Sequence, residues 1–107
     1  MNFVESKKEK SVLVHDIGTS FVKIGLFDLE ANPLKDYQIK FEHWMTIKSD
    51  GTYIFDAETS AELIERGLDE LLNRASNFEI LAVSVDTMAS TILGLDQNNN
   101  PLTPVYT

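Results

Sequence analysis

The apolar residues of this chain change their period twice, and that change limits the fold more than any other feature. From Val12 to Trp44 they come in short extended runs. "VLVH" (Val12–His15) and "FVKIGLFD" (Phe21–Asp28) read as strands. "DYQIKFEHW" (Asp36–Trp44) sets Tyr37, Ile39 and Phe41 against Gln38, Lys40 and Glu42, the alternation of a half-buried strand. Hairpins would join these runs into three antiparallel strands. From Asp56 to Phe78 the period becomes helical, with Leu63, Ile64, Leu68, Leu71, Leu72 and Ala75 on one face. "EILAVSVD" (Glu79–Asp86) is then short, apolar and β-branched, the signal of a buried strand. A strand that follows a helix returns parallel to an earlier one. The expected order is β-β-β-α-β and then a hairpin: an α/β fold with a mixed sheet and a helix on one face.

The helix carries local signals of its own. Thr59 with Glu62 fits a capping box, with Asp56 as an alternative earlier cap. Glu62–Arg66 and Glu70–Arg74 are spaced four apart in the favourable order. Gly67 falls on the apolar side. Either it lets the helix approach the sheet closely, or it is a tolerated helix glycine costing about 1 kcal/mol. After the helix and strand, "STILGLD" and "TPVY" are two extended pieces joined by "QNNNPL". Asp28 opens "DLEANPL" and Asp96 opens "DQNNNPL", an internal echo that shared turn chemistry explains.

Composition excludes several classes. A formal net charge of −8 argues against a nucleic-acid backbone as partner, but not against a nucleotide held locally by amides, hydroxyls and a metal. Zero cysteines exclude disulfides and thiolate metal sites and fit a cytoplasmic protein. No apolar run approaches the roughly 18 residues of a membrane span. The lead-in, residues 1–10, lacks the apolar core of a secretory signal and carries Lys7, Lys8 and Lys10.

The chemistry concentrates in "DIGTSFVK". Asp16 ends the first strand, Gly18 marks a sharp turn or a close approach, Thr19 and Ser20 add hydroxyls and amides, and Lys23 follows on the next strand. Such a hairpin can hold phosphate oxygens, with Asp16 on a hydrated Mg²⁺. An ordinary β-turn with Asp and Gly is the alternative. No G-x-x-x-x-G-K-[ST] motif is present. His15 and His43 read as packed or surface residues, with no pair at metal-ligand spacing.

"VLVHDIGTSFVKIGLFDLEANPL" resembles the first phosphate motif of the sugar-kinase, chaperone and actin superfamily, and more narrowly the opening of the FGGY carbohydrate kinases. "DGTYIFDAETSAELIERGLDELL" and "ILAVSVDTMASTILGLDQNNNPLTPVYT" resemble the segments that follow in that family. The resemblance covers residues 11–107 and implies the front portion of the N-terminal kinase domain, with an incomplete ribonuclease-H-like (actin-like ATPase) sheet. It also implies transfer of the γ-phosphoryl of ATP to a sugar hydroxyl, with Mg²⁺. Asp16, Gly18, Thr19, Ser20 and Lys23 would match the phosphate and metal positions.

"SVDTMAST" falls where the family places part of its sugar site, so Asp86, Thr87, Met88 and Ser90 are the substrate candidates. Here the chain departs from the common G-Q-M-H-G, keeping Met88 and having no histidine. Asp86 ends a strand expected beside the first, which would bring Asp16 and Asp86 to one sheet edge. The catalytic Asp and the adenosine pocket of the family lie downstream, so the resemblance implies an inactive piece. Its uncovered sheet edge would favour a homo-oligomer. Another actin-like ATPase, or a non-enzymatic binding domain that keeps the fold, are the rival readings.

Overall fold

The computed structural model describes residues 7–43 and 45–107. The strands are β1 (Glu9–Ile17), β2 (Phe21–Phe27), β3 (Pro33–Glu42), β4 (Thr46–Ile47), β5 (Tyr53–Phe55), β6 (Phe78–Thr87) and β7 (Val105–Tyr106), with one helix, α1 (Ala57–Arg74), between β5 and β6. A four-stranded sheet runs in the order β3-β2-β1-β6. β1 pairs antiparallel with β2 and parallel with β6, and β2 pairs antiparallel with β3. A second sheet has the order β4-β5-β7.

Side-chain parity decides what each face of the large sheet meets. Leu13 on β1, Val22, Ile24 and Leu26 on β2 and Ile39 on β3 point to one side and are buried against Leu71 and Ala75. Leu71 is fully buried, and its truncation to alanine would cost about 2–5 kcal/mol. The opposite face of the sheet carries Val12, Val14 and Asp16 of β1 with Lys23 of β2. α1 packs on β2 and β3. It does so closely because position 67 has no side chain: a Cβ there would stand 2.8 Å from both Ile24 Cδ1 and Phe41 Cε1. The close-approach reading of Gly67 holds.

Several local expectations are corrected. The helix is capped by Asp56, whose Oδ2 accepts the Thr59 main-chain N–H at 2.8 Å and the Thr59 hydroxyl at 2.8 Å. Thr59 is therefore inside the helix and not its cap. Arg74 pairs with Glu70 as expected, whereas Glu62 and Arg66 form no ion pair among the described residues. β1 begins at Glu9, within the stretch read as lead-in, because Glu9 and Lys10 pair with Phe78 and Glu79. Met1–Ser6 lie outside the described residues. β3 starts at Pro33 and ends at Glu42, three residues earlier and two residues earlier than expected; Trp44 lies outside the described residues.

β6 is the largest departure. It runs parallel to β1 as expected, yet it is a sheet edge and not a buried strand. Leu81, Val83 and Val85 are 50, 61 and 60 % exposed. The helix lies over the far half of the sheet and leaves them uncovered. Accordingly the radius of gyration, 17.2 Å, exceeds the roughly 13 Å of a compact domain of this length. The β1–β6 ladder also slips by one residue: Ser11 faces Ile80 and Val12 faces Ala82, so Leu81 is the extra residue of a β-bulge.

The two D-x-x-x-N-P-L loops adopt one conformation. Asp28 Oδ1 accepts the N–H groups of Glu30 and Asn32 at 2.9 and 2.8 Å; Asp96 Oδ1 accepts those of Asn98 and Asn100 at 2.8 and 2.9 Å. Ala31 and Asn99 hold the same left-handed position, φ 65° and 64°. The second loop joins bridges at Leu95–Pro101 and Ile92–Tyr106, the expected last hairpin.

Candidate functional site

Two strands that run parallel end together, and their carboxyl ends are where an open α/β sheet presents ligands. Asp16 of β1 and Asp86 of β6 are direct register partners there. Lys23 of β2 is the register partner of Asp16 on the other side, with Lys23 Nζ 3.9 Å from Asp16 Oδ2. Lys40 of β3 continues the row beside Lys23 and lies over the Phe21 ring, 4.0 Å from its centroid. Asp86, Asp16, Lys23 and Lys40 thus form one rung across four strands, acidic at one end and basic at the other. The Asp16–Lys23 pair is about half exposed, so it orients the two groups more than it stabilises the fold.

The β1–β2 turn projects beyond this rung. Gly18 N–H donates to Phe21 C=O at 2.9 Å. A Cβ at Gly18 would stand 2.9 Å from Phe21 O, so the tight turn requires glycine. Thr19 and Ser20 are exposed at its tip, and neither their main-chain N–H groups nor their hydroxyl groups donate to a partner among the described residues. A cleft of about 400 Å³ runs from Thr19 and Ser20 to Met45, Ile47 and Tyr53, and a second of about 320 Å³ extends from the same tip to Thr107.

The residues singled out from sequence divide in two groups. Asp16, Lys23 and Asp86 come together in the rung, with Gly18, Thr19 and Ser20 just above it. Thr87 is the last residue of β6; Met88, half-buried, and Ser90, in a left-handed turn with φ 56°, follow off the rung. Thr91 ties that loop to the end of the chain through a 3.3 Å hydrogen bond with the Thr107 hydroxyl.

Of the two alternatives for His43, packed or surface, the structure shows the packed one: it is 4 % exposed, and its Nδ1 lies 2.9 Å from Gly18 O and its Nε2 2.7 Å from Ser60 Oγ, a place beside the turn that the sequence did not reveal. Its ring packs on Phe55 with centroids 4.4 Å apart. The signal was present in the alternation, because Ile39, Phe41 and His43 share one parity and so one buried face. Among the described residues no cluster of three or more His, Cys, Asp or Glu could hold a metal by itself, and no helix is long and apolar enough to cross a membrane.

No protein-family model matches the sequence. No curated protein matches it either. Solved structures do match the fold. Gluconate kinase from Lactobacillus acidophilus superposes with a TM-score of 0.80 at 18 % identity, over 92 % of this chain and 19 % of that one. Xylulose kinase from the same organism gives 0.79 at 18 % identity, over 92 % and 19 %. Plasmodium falciparum glycerol kinase with ADP gives 0.73 at 18 % identity, over 92 % and 20 %. The chain spans about a fifth of the length of these kinases. Its fold is therefore the one that these gluconate, xylulose and glycerol kinases adopt over the matched segment.

Proposed function

We propose that this chain is part of a carbohydrate kinase that transfers the γ-phosphoryl of ATP to a sugar, polyol or sugar-acid hydroxyl. The observation that carries this reading is the meeting of Asp16, Lys23 and Asp86 at the carboxyl ends of β1 and β6, directly below a turn with undonated amides. Thr19 and Ser20, on the tight turn that Gly18 permits, would receive phosphate oxygens and Lys23 would balance their charge. Asp86, Thr87, Met88 and Ser90 would face the sugar from the neighbouring strand and loop.

Magnesium asks for one or two carboxylates, with waters and phosphates completing its shell. Asp16 would hold the ion through water, and Asp86, its register partner, would add negative charge to the same place. When bound, the ion supplies charge neutralisation on the phosphate oxygens. Phosphoryl transfer also needs a group that orients the acceptor hydroxyl. In the kinases that the sequence resembles, that group lies downstream of the matching segment, so in this reading these residues supply one side of the reaction. The lack of cysteine suits a cytoplasmic setting.

The test is a titration of the ¹⁵N-labelled chain with MgATP. Shifts confined to Gly18, Thr19, Ser20 and the Asp16–Lys23 region are expected, without sugar-dependent ADP release. Shifts elsewhere only, or none, would refute the phosphate reading; turnover by the isolated chain would refute its restriction to one side.

A second reading, a self-associating domain without turnover, rests on the edges of the large sheet. β3 is guarded by Pro33, Lys35, Asp36, Lys40 and Glu42, whereas β6 presents no charge from Ile80 to Val85. Sedimentation of the pure chain decides it: a dimer that Val83→Lys converts to monomer supports pairing through β6, and a monomer at high concentration refutes it.

A further inference from the structure

We propose that His43 is the positioning residue of the phosphate-facing turn, holding it so that the Thr19 amide points to the face that carries Asp16 and Lys23. This deepens the kinase reading and rests on it.

Three hydrogen bonds converge on this residue. Its Nδ1 meets Gly18 O at 2.9 Å, its main-chain N–H meets Ser20 O at 2.9 Å, and its Nε2 meets Ser60 Oγ at 2.7 Å. A carbonyl oxygen only accepts, so Nδ1 carries a proton. In the neutral ring Nε2 must then accept, and the Ser60 hydroxyl is its donor. Ser60 is buried in the first turn of α1, and Asp56 accepts the Thr59 N–H one residue before it. The turn tip is thereby tied through one side chain to the start of the helix.

The consequence follows from the shape of a peptide. The bond between Gly18 and Thr19 is trans, so its C=O and N–H point in opposite directions. His43 has the parity of Ile39 and Phe41 and lies on the helix side of the sheet. With Gly18 C=O held toward His43, Thr19 N–H is turned toward the other face. That is the face of Asp16 and its register partner Lys23, because the residues flanking Lys23, Val22 and Ile24, point into the core. Thr19 N–H has no acceptor among the described residues. A free hairpin would let this peptide rotate; His43 fixes it as a displayed donor beside a lysine and a carboxylate.

The experiment compares the full chain with His43→Leu and His43→Asn, each ¹⁵N-labelled and titrated with inorganic pyrophosphate and Mg²⁺. Asparagine keeps an N–H donor near the place of Nδ1–H, and leucine keeps bulk without it. The expected result is at least about a tenfold loss of affinity in the leucine variant, the size of one lost hydrogen bond, with binding restored by asparagine. A folded leucine variant that binds like the wild type overturns the role of His43 and leaves the phosphate reading intact. No shift at Thr19 or Ser20 in the wild type overturns both. If the leucine variant does not fold, the wild type decides by its ring ¹⁵N spectrum. A proton on Nδ1 is expected, and the reverse tautomer overturns the proposal.

Discussion

Asp16 and Asp86 stand directly opposite each other in the parallel β1–β6 pair, each one residue short of the carboxyl end of its strand. Two carboxylates so placed attract a cation, while Lys23 on the far side of Asp16 draws only that one toward itself. The two are therefore expected to differ in role. Asp16→Asn should weaken the Mg²⁺-dependent part of ATP binding about tenfold or more, and Asp86→Asn by less. Calorimetric titrations with MgATP and with ATP plus chelator separate these effects; equal losses in both variants would refute the distinction.

Gly67→Ala should destabilise the chain despite its gain in helix propensity. Alanine is favoured over glycine by about 1 kcal/mol in a helix. The new methyl would stand 2.8 Å from Ile24 Cδ1 and Phe41 Cε1, and overpacking of this kind costs about 1–3 kcal/mol. A net loss of about 1 kcal/mol in urea unfolding is expected. An unchanged midpoint would mean that Phe41 moves aside freely.

Asp56→Ala should lower the melting temperature by about 5 °C, and Thr59→Ala by less, because the carboxylate is the cap. Thermal unfolding followed by circular dichroism tests the order. Hydrogen bonds from the Thr59 main chain and hydroxyl hold Asp56 below the usual carboxylate range, and those from Asn32 and Asn100 do the same for Asp28 and Asp96. Groups lowered in the folded state stabilise it above their unfolded pKa of about 3.9, and that stability disappears as pH falls through their folded values. Burial lowers His15 as well, so the unfolded chain takes up that proton more readily and stability begins to fall below about pH 6.5. Wild-type stability should decline across both windows, and Asp56→Ala should decline less steeply in the lower one.

Ala31→Asn should stabilise the chain. Ala31 and Asn99 occupy equivalent left-handed positions in two copies of one loop, and only the second has a residue suited to it. A gain of about 0.5–1 kcal/mol is expected in chemical denaturation, with no change at the candidate site. A loss would show that the alanine makes a contact that its exposure does not suggest.

Much of this fold is legible in the residues. The alternation of Tyr37, Ile39 and Phe41, the helical face from Leu63 to Ala75 and the return of β6 parallel to β1 all appear in the structure. Parity and period are local properties, so sequence carries them. Burial of β6 is not local. "EILAVSVD" reads as a buried strand, but nothing in it says which surface covers it, and α1 sits over β2 and β3 instead. The cap is a contest between two nearby acceptors, and Asp56 takes the bond because it sits three residues ahead of the Thr59 amide. At the site, Asp16, Gly18 and Lys23 were visible as a hairpin motif. His43 was not, because its role depends on Ser60 and Gly18, 17 residues downstream and 25 upstream.

The bulge at Leu81 has an arithmetic consequence. In an unbroken ladder continuing from Ser11–Ile80, each later pair would shift by one, placing Val85 opposite Asp16 and Asp86 opposite Ile17, on the helix side. One surplus residue inverts that parity. The even-numbered residues before the bulge, Phe78 and Ile80, are phased to the core, and those after it, through to Asp86, to the ligand face. Excision of Leu81 in place would leave every pairing partner unchanged, whereas a residue inserted after it would turn Asp86 away from Asp16.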